Sequence, residues 1–197
     1  MSIRIRGAAV VAALTLATGG AGRAQEAPSD DTVAGRSADA PRTARAHIVG
    51  RERATGGEAI FSQGPGGVLI RLRVTNLPVE MRNAWHGVHL HETGDCSRPD
   101  FTSAGRHINP SGRAHGLLNP AGPDNADLPN IWVDAAGNVH VELYTTRVSL
   151  NGENGQPDLL DADGAALVIH AGSDDHETQP IGQAGVRIAC AEIRPLD

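Results

Sequence analysis

Arg71-Leu72-Arg73-Val74 alternates charged and apolar side chains one by one, and Val139-His140-Val141-Glu142-Leu143 repeats the pattern further along the chain. Successive side chains of an extended strand point to opposite faces, so a period of two predicts strands with one buried and one wetted face. Working outward, six more short apolar segments have the same length and are bounded by turn residues. Together the candidates are 44–49, 57–62, 68–75, 84–91, 130–133, 139–144, 165–170 and 185–193. Pro65-Gly66-Gly67 and Asp134–Asn138 supply turn chemistry between neighbours. No stretch carries the three-to-four residue apolar spacing of an amphipathic helix. Eight short strands predict an all-β domain, a sandwich or a barrel. Two intervals break the rhythm, 93–129 and 171–184. Loops of that length in a small domain are usually functional or disordered, and both follow a strand that ends in histidine.

The chain ends differ in kind from this body. Arg4 and Arg6 precede an apolar run at 8–17 and then small residues up to Ala24. This is the pattern of a signal peptide over 1–24, too short in its apolar part to span a bilayer. Residues 25–43 contain one valine and no other large apolar side chain, which predicts a disordered polar tail. The folded domain is expected over 44–197. Losing three arginines and no acids with the leader takes the formal charge from −6 to −9. An acidic mature chain with 3% aromatic residues argues against a nucleic-acid partner, and no membrane insertion is expected after cleavage. Every strong cation is an arginine; there is no lysine. The two cysteines, Cys96 and Cys190, suggest a disulfide in an exported protein, with two buried free thiols as the alternative.

Histidine carries the chemistry. In Trp85-His86-Gly87-Val88-His89-Leu90-His91-Glu92, His89 and His91 project from one face of a strand and make half of a transition-metal site. His107, His115 and His170 follow at intervals that suit further ligands. His86 faces the other way and reads as a structural hydrogen-bonder. His47, His140 and His176 have no partner spacing and read as ordinary surface or core residues.

The motifs HGVHLHETGDC at 86–96, SAGRHINP at 103–110, LVIHAGSDD at 167–175 and GQAGVRIACAEI at 182–193 resemble, in this order, those of exported bacterial copper/zinc superoxide dismutases. The resemblance covers essentially all of 44–197. It implies an eight-stranded flattened Greek-key β-barrel, of immunoglobulin-like architecture, with the site outside the barrel wall. It implies copper on His89, His91, His107 and His170, and zinc on His107, which bridges the metals, with His115 and Asp127. It also implies that Asp174 ties a copper histidine to a zinc histidine and that Cys96 is bonded to Cys190. Arg187 matches the arginine that binds and orients superoxide beside the copper, and the resemblance implies that His107 takes up a proton during the reaction. The 171–184 loop would form one wall of the channel; as it contains no lysine, steering is expected to rest heavily on Arg187. A homodimer is compatible with this reading, as is a periplasmic or secreted location.

One position departs from the family. A third zinc histidine is usual three residues before the aspartate, and here that residue is Asp124. The spacing from His115 is intact. An aspartate oxygen lies as many bonds beyond Cβ as the histidine nitrogen it replaces, and zinc accepts carboxylate oxygen. The expectation is a zinc site of two histidines and two aspartates; the alternative is a degenerate site and a copper-only dismutase. The remaining alternative is an exported copper-binding or copper-transfer module on the same fold. A module of that kind would be expected to lack part of the four-histidine set or the arginine.

Overall fold

A computed structural model describes residues 42–52 and 54–196. The signal-peptide reading and nearly all of the predicted tail lie outside the described residues. Nine strands, all pairing antiparallel, make up the described fold: β1 (Thr43–Gly50), β2 (Gly56–Gly64), β3 (Gly67–Thr75), β4 (Ala84–His86), β5 (Val88–His91), β6 (Ile131–Val133), β7 (Val139–Thr145), β8 (Ala165–His170) and β9 (Arg187–Pro195). Seven form one sheet in the order β5-β8-β9-β1-β2-β3-β7, and β4 pairs with β6 in a second. β3 pairs with β7 and β5 with β8, each skipping the strands between, as the long return connection of a Greek key requires.

The alternation read from the sequence is the alternation of burial. In β3, Val68, Ile70, Leu72 and Val74 are fully buried while Arg71 and Arg73 are exposed. Their inner faces meet Ala44, Ala46, Phe61, Leu90, Leu167, Ile169 and Ile193 in one core. Each large aliphatic side chain buried there contributes about 1.5–3 kcal/mol.

The predicted strand 84–91 is two strands. Gly87 donates its N–H to the Gly172 carbonyl (2.8 Å) and accepts from the His170 N–H (2.9 Å), so the chain changes partners there. β4 lies against β6, placing Trp85 opposite Trp132, and β5 lies against β8. The two indoles meet edge to face, with centroids 5.3 Å apart, and both are exposed.

β5 and β8 differ from β3 in being buried on both faces. Val88, Leu90, Ala165, Leu167 and Ile169 point into the core. His89, His91, Ala166, Val168 and His170 occupy the outer face, which the long loop after β5 covers. Under that loop Phe101, Ala104, Ala166, Val168 and Cys190 form a second, smaller cluster. Cys96 is bonded to Cys190, which fastens the loop to β9 and settles the choice between a disulfide and free thiols.

Candidate metal centre

The rigid part of the site follows from strand geometry. With Val88 and Leu90 committed to the core, His89 and His91 must face outward, and the same argument applied to Leu167 and Ile169 sends His170 out beside them. An irregularity in the β8–β9 register between Ile169 and His170 sets His170 opposite Arg187.

The loop residues reach the site because the loop pairs along the free edge of β5. The Leu90 N–H donates to the Ala126 carbonyl and the Leu90 carbonyl accepts from the Ile108 N–H, each at 3.1 Å. These bonds place His107 opposite His91 and Asp127 opposite His89. Asp124 closes a tight turn: its N–H donates to Asp127 Oδ2 (2.9 Å) and its Oδ1 accepts from the Ala126 N–H (2.8 Å). Asp127 Oδ2 also accepts from the Gly116 N–H (2.7 Å), which leaves Asp127 Oδ1 facing His115 Nδ1 at 2.6 Å.

Three overlapping groups have their ligand atoms within 4.8 Å of one another: first His89, His91, His107 and His170; second His107, His115, Asp124 and Asp127; and, linking these two, His89, His115, Asp127 and Asp174. In the first, every ring has one nitrogen engaged. His89 Nε2 meets Asp174 Oδ2 (2.8 Å), His91 Nδ1 the Gly105 carbonyl (3.1 Å), His107 Nδ1 Asp124 Oδ2 (3.0 Å), and His170 Nδ1 the Gly185 carbonyl (2.9 Å). The remaining nitrogen of each ring is buried without a partner. A buried polar atom left unsatisfied costs about 1–3 kcal/mol, so four together form a costly arrangement unless a cation accepts their lone pairs. Burial pushes the pKa of His89 down, that of His91 well down, and that of His170 down to about 3, so these rings offer lone pairs at neutral pH. Four imidazole nitrogens suit copper.

The second group mixes nitrogen and oxygen donors, a set that zinc accepts. His115 Nδ1 and Asp127 Oδ1 are close but make no directed hydrogen bond, as expected of two donors aimed at a common point. Burial opposes protonation of His115, but the Asp127 and Asp174 carboxylates outweigh it and raise its pKa to about 10. The negative field that holds that proton is equally a field for a divalent cation. Asp174 joins the two groups, its Oδ1 3.1 Å from His115 Nε2. Burial alone would raise its pKa, yet the hydrogen bonds from His115 and His89 hold it far below the ordinary carboxylate range.

Arg187 stands at the mouth. Its Nη1 donates to the Phe101 carbonyl and its Nη2 to the Gly105 carbonyl, both at 2.6 Å. The Gly105 carbonyl thus braces the guanidinium and His91 together. The cleft of about 1110 Å³ over His107 and His170 is lined also by Arg51, Arg106 and Arg113, and on one wall by Gln179, Pro180 and Ile181 from the 171–184 loop. Arg113 is tied to the Gly122 and Pro123 carbonyls. Arg51 and Arg106 are exposed and free of side-chain partners among the described residues. The lining also carries Glu92, Asp100, Asp124, Asp158 and Asp161, so arginines and carboxylates share the cleft.

Three further residues support the site without a sequence signal. Asn130 clamps the backbone of Asp174, accepting from its N–H (2.9 Å) and donating to its carbonyl (2.8 Å). Gln179 does the same for His115 (2.9 and 2.8 Å). Gly182 has φ +57°, and a Cβ there would run into Asp174 Oδ1. His176, read as an ordinary residue, gives its backbone N–H to Asp174 Oδ1 at 2.6 Å. His86 is the hydrogen-bonder it was read to be, with its ring nitrogens at the His170 and Met81 carbonyls.

Known proteins resemble this chain in sequence and fold. A sequence model of the copper/zinc superoxide dismutases matches residues 55–193. The chain is 48% identical over 139 residues to a copper/zinc superoxide dismutase of Caulobacter vibrioides, covering 70% of this chain and 78% of that one. A second relative, from Aquifex aeolicus, is 45% identical over 152 residues, covering 77% and 86%. The crystal structure of a superoxide dismutase-like protein from Bacillus subtilis superposes with a TM-score of 0.68 at 37% identity, over 75% of this chain and 95% of that one. With the match running from β2 into β9 and including both donor groups and the arginine, the chain belongs to the copper/zinc superoxide dismutase family.

Proposed function

We propose that this chain is a superoxide dismutase that binds copper through His89 Nδ1 and the Nε2 atoms of His91, His107 and His170, and zinc through His107, His115, Asp124 and Asp127. The observation that carries the reading is the convergence of four buried, unpartnered imidazole nitrogens beside a braced guanidinium. Copper bound there supplies the electron traffic by alternating between Cu(II) and Cu(I). Two superoxide anions and two protons become one dioxygen and one hydrogen peroxide. Arg187 holds each anion at the mouth of the cleft. His107 Nε2 is the atom placed to carry one of the two protons, since its Nδ1 is engaged on the other side of the ring. Asp174 fixes the aim of His89 and His115 together, as carboxylates behind ligating histidines do.

A copper-carrying module is disfavoured by the complete donor set and by the arginine. Export to the periplasm or beyond is proposed on the basic-then-apolar start of the chain and on the disulfide. The test is the rate of superoxide decay per bound copper, measured by stopped flow on mature, copper- and zinc-loaded protein. Superoxide dismutases are among the enzymes that reach the diffusional ceiling of about 10⁸–10⁹ M⁻¹s⁻¹, and a rate in that range is expected. A rate no better than that of free aqueous copper refutes the proposal.

A further inference from the structure

Asp124 stands where the family has a histidine, and its neighbourhood assigns it a second task. The His107 and Asp124 side chains are 9% and 3% exposed, and Asp124 Oδ2 lies 3.0 Å from His107 Nδ1. The other oxygen, Oδ1, accepts from the Ala126 N–H, so the carboxylate is held from behind by its own turn. An ionised carboxylate only accepts hydrogen bonds. His107 must therefore donate from Nδ1, and a neutral ring that carries its hydrogen on Nδ1 keeps a lone pair on Nε2. Nε2 is the buried, unpartnered atom that faces His89, His91 and His170. A histidine at 124 would not enforce this, because a neutral imidazole can donate or accept. A carboxylate behind a ligating histidine is the usual way of fixing its tautomer and aim.

We propose that Asp124 is a positioning residue for His107 that takes over zinc's orienting role, so that copper keeps four nitrogen donors even when the zinc position is empty. The inference rests on the copper assignment proposed above. When zinc is present, the same Oδ2 is offered to it. When zinc is absent, Oδ2 accepts from the ring, and His107 stays aimed at the copper position either way. The dependence of the copper site on zinc is thereby loosened by one substitution at intact spacing.

The test uses mature full-length protein loaded with one copper and freed of zinc, read by Cu(II) paramagnetic resonance and by chelator competition for Cu(II). Wild type without zinc is expected to keep the four-nitrogen pattern it has with zinc. Asp124→Ala is expected to lose one nitrogen from the zinc-free spectrum and to bind Cu(II) about 10–100-fold more weakly. Asp124→Asn has one acceptor oxygen where aspartate has two and cannot accept from both the Ala126 N–H and His107 Nδ1, so in the zinc-free protein it should bind Cu(II) more weakly than wild type. Asp124→His, which restores the family residue, should match wild type with zinc and lose the fourth nitrogen without it. The proposal is overturned if zinc-free wild type already lacks the fourth nitrogen, or if zinc-free Asp124→Ala or Asp124→His equals wild type in spectrum and affinity. These readouts do not use superoxide. Failure of the loaded wild type to dismute superoxide would refute the function and leave the positioning result standing.

Discussion

Replacing Arg187 by alanine removes a positive charge from the mouth of the cleft without touching a metal donor. A unit charge about 5–6 Å from a superoxide anion contributes roughly 0.8–3 kcal/mol as the effective dielectric falls from 80 towards 20. At 1.4 kcal/mol per factor of ten, the second-order rate should fall about 4- to 150-fold. The upper part of the range applies if the cleft excludes water, since Arg187 is half-buried against the Phe101 and Gly105 carbonyls. Arg187→Lys retains the charge but not the fork that spans two carbonyls, and should fall between wild type and Arg187→Ala. The assay is stopped-flow decay of superoxide per bound copper, with copper measured on the same samples and the rate repeated at several salt concentrations. Copper content should be unchanged in both variants. Salt dependence should be reduced and not abolished, because exposed Arg51 and Arg106 still line the cleft. Loss of copper with an unchanged rate per copper would refute this account of Arg187.

The remaining predictions concern the scaffold and its titration. Serine at both Cys96 and Cys190 opens a link between residues 94 apart, worth about 4–5 kcal/mol by loop closure, and should lower the melting temperature by roughly 8–20 °C at about 2–4 °C per kcal/mol; an unchanged melt would refute the loop's role as a tether. Gly182→Ala should displace Asp174 and weaken copper and zinc together by about 10–100-fold in dialysis against a chelator, whereas full retention of both would show that Asp174 keeps its place without Gly182. In metal-free protein the titrations pull in opposite directions. His170, depressed to about 3, lets the unfolded chain take up a proton that the folded one refuses, so stability falls as pH drops below about 6.5. His115, raised to about 10, contributes stability that is complete below about 6.5 and lost as pH rises to 10. Urea midpoints of metal-free protein should therefore peak near pH 6.5, and a monotonic rise or fall from pH 5 to 9 would contradict these shifts.

The strands were legible because their cause is local. Arg71-Leu72-Arg73-Val74 states its own inner and outer face, and each predicted segment corresponds to a strand or, in one case, to two. The break at Gly87 was not legible, since nothing in HGVHLH announces that Gly87 will bond to Gly172 and His170. His89 and His91 could be read as partners from alternation alone, whereas His107, Asp124 and Asp127 needed the family spacing. Their convergence depends on loop pairing along β5, which leaves no periodic trace. Asn130 and Gln179 were missed for a related reason. They hold backbone, and an amide that holds backbone carries no motif. The share of Arg51 in the cleft is likewise a matter of where the end of β1 comes to lie.

The Trp85–Trp132 pair has an optical consequence. These are the only tryptophans in the chain, and they sit in contact on the outer face of the β4–β6 ribbon. Nearly all the protein's ultraviolet emission therefore originates on one small sheet that contains none of the proposed metal donors. The indoles are already wet in the folded state, so unfolding should shift their emission little. An emission-based melt would report the fraying of this ribbon, while circular dichroism of the backbone would follow the seven-stranded sheet on which the histidines stand.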